Sequence, residues 1–130
     1  MKIENKKDMP IGVFDSGVGG LTVAREIMRQ LPNESIVYFG DTARSKSETT
    51  IIRYSRQIIR FLLTKEVKAI VIACNTASAL ALDAVRKEFK IPIIGVVAPG
   101  ARAAREETIN KKIGVIGTEA TVKSEIYKKL

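Results

Sequence analysis

Histidine and tryptophan do not occur in this 130-residue sequence, and cysteine occurs once. Without histidine, neither the usual His/Cys metal site nor a Ser-His-Asp triad can be built from these residues, so no metal is expected. A single cysteine excludes an internal disulfide framework and fits a reducing compartment, where a thiol stays chemically available. Aromatic residues make up only 5% of the chain, which leaves little for stacking nucleic-acid bases. No apolar run is long enough to span a membrane, and the start, Met-Lys-Ile-Glu-Asn-Lys-Lys-Asp, has basic residues with no apolar stretch behind them. The expectation is a cytoplasmic protein without a membrane partner.

What is present suffices for a packed core. Hydrophobic residues are 45% of the chain, whose length fits one domain, or one domain and a fragment of another. The formal charge is +8. An excess of this size can mark an anionic partner such as nucleic acid. Here the basic residues are interspersed with acidic ones along the expected helices, which favours a solvated basic surface.

Residues 68–78, Lys-Ala-Ile-Val-Ile-Ala-Cys-Asn-Thr-Ala-Ser, organise the chain. The apolar run 69–73 has the length and β-branched content of a strand buried on both faces, as in parallel sheets. Cys74, Asn75 and Thr76 follow at once, and then a stretch composed like a helix. In open α/β sheets the edge beyond the carboxyl ends of the strands is where ligands bind. A helix N-terminus adds unpaired N–H groups and partial positive charge, which favour a thiolate. Cys74 thus reads as a reactive thiol facing an anionic ligand, or as a small buried hydrophobe, the usual state of an unpaired cysteine.

The same alternation runs along the chain. Strands are expected at 11–15, 35–39, 69–73, 90–97 and 111–118, and helices at 21–30, 49–65, 77–86, 98–107 and 119–130. Five strand-helix units predict an α/β fold, a parallel sheet covered by helices. Parallel strands bring their carboxyl ends to one rim, so Asp15-Ser16, Gly40-Asp41-Thr42, Cys74-Asn75-Thr76 and Gly117-Thr118 can converge. Asp15, Ser16, Asp41 and Thr42 equally suit plain helix capping. Gly17, Gly19 and Gly20 allow backbone N–H groups to approach an anion. They also suggest dinucleotide binding, but Thr22 stands where the third glycine of that fingerprint belongs.

The blocks Ile11-Gly-Val-Phe-Asp-Ser-Gly-Val-Gly-Gly-Leu-Thr22, Tyr38-Phe-Gly-Asp-Thr-Ala-Arg44, Ala73-Cys-Asn-Thr-Ala-Ser78, Ile94-Gly-Val and Ile113-Gly-Val-Ile-Gly-Thr-Glu-Ala-Thr-Val122 resemble the N-terminal half of the glutamate racemases, within the aspartate/glutamate racemase family. They occur in family order from Pro10 onward. The resemblance implies a flavodoxin-like racemase domain over residues 1–97, lacking its C-terminal completion, and the truncated opening of a second over 98–130. It implies a cofactor-independent isomerase that interconverts L- and D-glutamate with two cysteines and supplies D-glutamate for peptidoglycan and cell shape. Cys74 matches one cysteine and Asp15 assists its proton transfer. Ser16, Asn75, Thr76, Thr118 and Thr121 match residues that hold the substrate's charged groups. Expected partners are glutamate, a second copy in a homodimer, and DNA gyrase.

Two departures stand out. The family carries a Val-Pro-Tyr-Gly stretch after the position of Arg44, whereas here Arg44 runs into Ser45, and the second cysteine with its Cys-Thr-His motif is missing. The chain is therefore expected to be incomplete and inactive alone. Competing readings are an aspartate or hydantoin racemase, a non-catalytic module binding gyrase or nucleic acid, and a nicotinamide site.

Overall fold

Ile11, Val13 and Phe14 suit a pleated strand, and every residue of β1 (Ile11–Asp15) is buried. A strand buried on both faces belongs in the middle of a covered sheet. In a computed structural model, which describes residues 5–42 and 47–130, β1 lies between β2 (Ile36–Gly40) and β3 (Ala69–Ile72). With β4 (Ile93–Gly95) the order is β2-β1-β3-β4 and all pairings are parallel. The junction of Arg44 and Ser45 lies outside the described residues.

Alternate residues of the strands serve two cores, as the two-residue period of a strand requires. Phe14, Ile70, Ile72 and Ile93 face α2 (Glu48–Leu63) and α3 (Asn75–Glu88), meeting Ile58, Ile59, Leu62, Ala81 and Val85. Ile11 and Val13 face the other way, onto Ala24, Val23 and Ile27 of α1 (Leu21–Gln30). Helix α2 starts where Ser47 accepts a bond from Thr50 N, and it buries Ile51, Ser55, Ile58, Ile59 and Leu62, one stripe at helical spacing. After β4 the chain enters α4 (Val97–Glu107). None of the described helices is long and apolar enough to cross a membrane.

The first four strand-helix units follow the expected order. Strand β4 is shorter than the expected 90–97. Its tail is drawn off the sheet because Val96 N donates to Ser78 Oγ at 3.1 Å, and Val97 already opens α4.

The fifth unit differs. In the strand expected over 111–118, residues 112–118 form no regular secondary structure and are exposed, and no described strand lies beside them. A strand is stabilised by a neighbour's backbone, and the sheet ends at β4. The helix expected over 119–130 is only α5 (Glu119–Lys123) and a 3-10 turn at Ile126–Lys128. Ser124 Oγ donates to Thr121 O at 2.6 Å, and Glu125 then takes a left-handed conformation with φ 54°. Such side-chain bonds compete with the helical ladder.

Leu62 is fully buried between α2 and the sheet, whereas Ile116 is fully exposed. In urea titrations Leu62→Ala is expected to lower unfolding stability by ~2–5 kcal/mol. Ile116→Ser is expected to stay within ~0.5 kcal/mol of the parent. A large loss for Ile116→Ser would mean that residues 112–118 are packed after all.

Candidate active site

Strand β3 ends at Ile72, and Ala73 N still donates to Phe14 O of β1 at 2.8 Å. Cys74 is then held extended as the N-cap of α3, where Ala77 N donates to its Sγ at 3.4 Å. The helix head thus turns one of its first-turn amides, which carry partial positive charge, toward the sulfur. Ser16 Oγ lies 3.1 Å from the same sulfur. The thiol is 8% exposed and is packed on the α2/α3 side of the sheet, so both readings of Cys74 describe part of its setting.

Asp15 ends β1 and is buried. Its Oδ1 accepts from Ser16 N at 2.7 Å and its Oδ2 from Gly20 N at 2.5 Å. The loop 16–20 is thereby wrapped around the carboxylate, and the fit leaves no room for a side chain at position 20. A Cβ on Gly20 would stand 2.6 Å from Asp15 Cβ and 2.9 Å from Ala73 Cβ. Asp15 therefore reaches the thiol's surroundings through Ser16, which it holds by the backbone. At the head of α1 its carboxylate also occupies the Gly20 N–H that a dinucleotide phosphate would use.

Tyr38, for which local pattern offers no sign of a place in the site, stands close by. Burial first, then the charge of Asp15 and a bond to it, push the Tyr38 phenol above its ordinary range. Its hydroxyl also donates to Gly17 O at 3.4 Å.

Three threonines meet on the other side of Cys74. Thr76 Oγ1 lies 2.8 Å from Thr118 Oγ1 and 3.0 Å from Thr121 Oγ1, and the last two are 2.9 Å apart. Each hydroxyl has one proton and can accept as well, so head-to-tail bonding closes the triangle. A carboxylate arriving beside it can draw protons out of the ring, which makes the cluster a ready donor. Thr118 was expected at the end of a fifth strand. It reaches the site as the N-cap of α5, where Thr121 N donates to its Oγ1, with α5 packed on α3. Asn75 opens α3, and its Oδ1 accepts from Tyr127 Oη at 2.7 Å.

A cavity of about 580 Å³ opens among these groups. Ser16, Asp41, Cys74, Thr76 and Thr118 line it, as their places on the rim led one to expect. Thr121 sits behind, bonded to the threonines that do, whereas Asp15 and Asn75 are not part of the lining. The far wall comes from α2, with Ile51, Tyr54, Ser55 and Ile58, and α5 adds Glu119 and Lys123. Ile51 and Ile58 belong to the buried stripe of α2 as well as to this wall. The available signal was Ser55, a polar residue within an otherwise apolar face. Among the described residues, no three Cys, Asp or Glu side chains group as metal ligands.

The family model described as Asp/Glu/Hydantoin racemase matches residues 27–130. The chain is 56% identical over 124 residues to a glutamate racemase of Lactococcus lactis subsp. cremoris, covering 92% of this chain and 46% of that relative. It is 57% identical over 123 residues to one of Trichormus variabilis, covering 92% and 41%. Among solved structures, glutamate racemase isoform RacE1 from Bacillus anthracis superposes with a TM-score of 0.89 at 50% identity, over 95% of this chain and 48% of that one. The Francisella tularensis glutamate racemase, solved in complex with D-glutamate, gives 0.83 at 47% identity, over 94% and 47%. The chain thus spans about half the length of the relatives it matches. Its sequence and its parallel α/β fold place it in the Asp/Glu/hydantoin racemase family.

Proposed function

We propose that this chain forms one side of a glutamate racemase site, with Cys74 as one of its two acid/base cysteines. The observation that carries the reading is the placing of Cys74 Sγ at the head of α3, 3.1 Å from Ser16 Oγ and beside the threonine cluster, on a cavity of about 580 Å³. As a thiolate, Cys74 takes the α-proton of glutamate, and the electron pair of the C–H bond passes into the α-carbon and its carboxylate. Fixed hydroxyl and amide donors stabilise the charge that develops there, which is the largest demand of the reaction without an electron sink. A proton returned to the opposite face completes the inversion.

That second proton needs its own acid. Cys74 is the only cysteine in these 130 residues, so the reprotonating thiol implied by the family resemblance has to come from other polypeptide. On the same reading, residues 1–97 are the first domain and 98–130 open a second. The exposed, unpaired stretch 112–118 supports that division. The product, D-glutamate, would serve peptidoglycan synthesis in the cytoplasm. A glutamate ligand is favoured by the relatives crystallised with it, the F. tularensis protein among them.

Two measurements test this. Saturating glutamate is expected to slow alkylation of Cys74 by iodoacetamide, followed by mass spectrometry; an unchanged rate would remove glutamate from the site. Circular dichroism of L-glutamate incubated with the 130-residue chain is expected to decay no faster than with Cys74→Ala. A faster decay would show that the chain holds both acids.

A further inference from the structure

We propose that Ser55 is a specificity-determining residue, whose hydroxyl binds the distal carboxylate of an amino acid held in the cavity. The inference rests on the glutamate reading of the site. Among the described residues four polar side chains are buried: Asp15, Ser55, Ser78 and Thr121. Asp15 takes the amides of Ser16 and Gly20, and Thr121 bonds to Thr76 and Thr118. Ser78 Oγ donates to Ile72 O at 3.0 Å and accepts from Val96 N at 3.1 Å. Ser55, only 3% exposed, makes no hydrogen bond among the described residues. A serine inside a helix commonly bonds back to the carbonyl four residues earlier, and Ser55 does not. Every fully enclosed side-chain nitrogen or oxygen among the described residues nevertheless has a partner. Ser55 Oγ is therefore not enclosed, and it opens into the cavity that Ser55 lines.

The wall around this hydroxyl is apolar. Ile51 and Ile58 stand one helical turn to either side of it, and Phe14 of β1 lines the same cavity. A hydroxyl here adds nothing to the packing of α2, since alanine would favour the helix more and leave no polar group to satisfy. The ligand supplies the reason for it. With the α-proton at Cys74, the α-carbon lies by the rim hydroxyls, and the side chain of glutamate runs toward the far wall. A carboxylate brought against Ile51 and Ile58 loses its hydration, which is costly unless a donor replaces the water. Ser55 offers an O–H from a rigid helix, so the donor needs little further ordering. A ligand ending in a methyl group would leave that hydroxyl unbonded, which is how a polar group in an apolar wall discriminates.

Protection of Cys74 from iodoacetamide reads the affinity of a ligand in this cavity. Ser55→Ala in the 130-residue chain is expected to need about tenfold more glutamate for half-protection, the loss of roughly one hydrogen bond to a charged group. Norvaline, which has the same carbon chain and no second carboxylate, is expected to protect parent and variant alike, however weakly. The urea midpoint of Ser55→Ala is expected to equal or exceed the parent's, because the hydroxyl has no partner in the fold. Half-protection by glutamate within about twofold of the parent, an equal loss for norvaline, or a lowered urea midpoint would each overturn the role. Failure of the glutamate reading itself looks different: glutamate then leaves Cys74 of the parent unprotected at every concentration, and the role of Ser55 falls with it.

Discussion

A carboxylate buried at the end of the central strand governs the arrangement of this molecule. Removed from water, Asp15 has to be hydrogen-bonded, since an unpaired buried charge is strongly destabilising. The donors available are the amides of the chain that follows, so the loop closes around it onto Ser16 N and Gly20 N. That closure starts α1 at the correct place and turns Ser16 toward the sulfur of Cys74. The close approach at Gly20 is part of the same constraint, because any side chain there would collide with Asp15 and Ala73. A demand for charge satisfaction in the core thereby becomes the geometry of the site.

The site is built from short connections at one rim, and most of its groups have a second structural task. Cys74 caps α3, Thr118 caps α5, and Asp15 fastens a loop. The sequence suits Asp15, Ser16, Asp41 and Thr42 to capping, but the N-cap of α1 is Gly20 and that of α2 is Ser47, and the capping side chains on the cavity are those of Cys74 and Thr118. A residue that caps a helix is held by the backbone it caps, which fixes its side chain without further support.

The core strands and their helices were legible because each carries its own signal. Residues 11–14 and 69–73 are apolar runs of strand length, α2 shows a clean helical stripe, and Ser47 marks where it begins. Cys74 could be placed at a strand-to-helix junction for the same reason. Residues 112–118 were misread because their pattern is that of a strand, while pairing depends on a neighbour that local pattern cannot report. The break at Glu125 hangs on one hydroxyl, Ser124 Oγ, bonding back to Thr121 O. Tyr127 and the cavity wall on α2 were missed because contacts between distant segments leave little trace in local periodicity.

The unpaired segment also bears on how the protein behaves at high concentration. Ile113, Val115 and Ile116 stand exposed on backbone with no adjacent strand among the described residues, the arrangement that invites edge-to-edge association between molecules. Lys111 and Lys112 flank it on one side and Glu119 on the other. Charges bordering an apolar strand act as gatekeepers, and the excess of eight positive charges adds a general repulsion. Colloidal stability therefore rests on electrostatics at this edge, and salt, by screening it, acts directly on the chain's solubility.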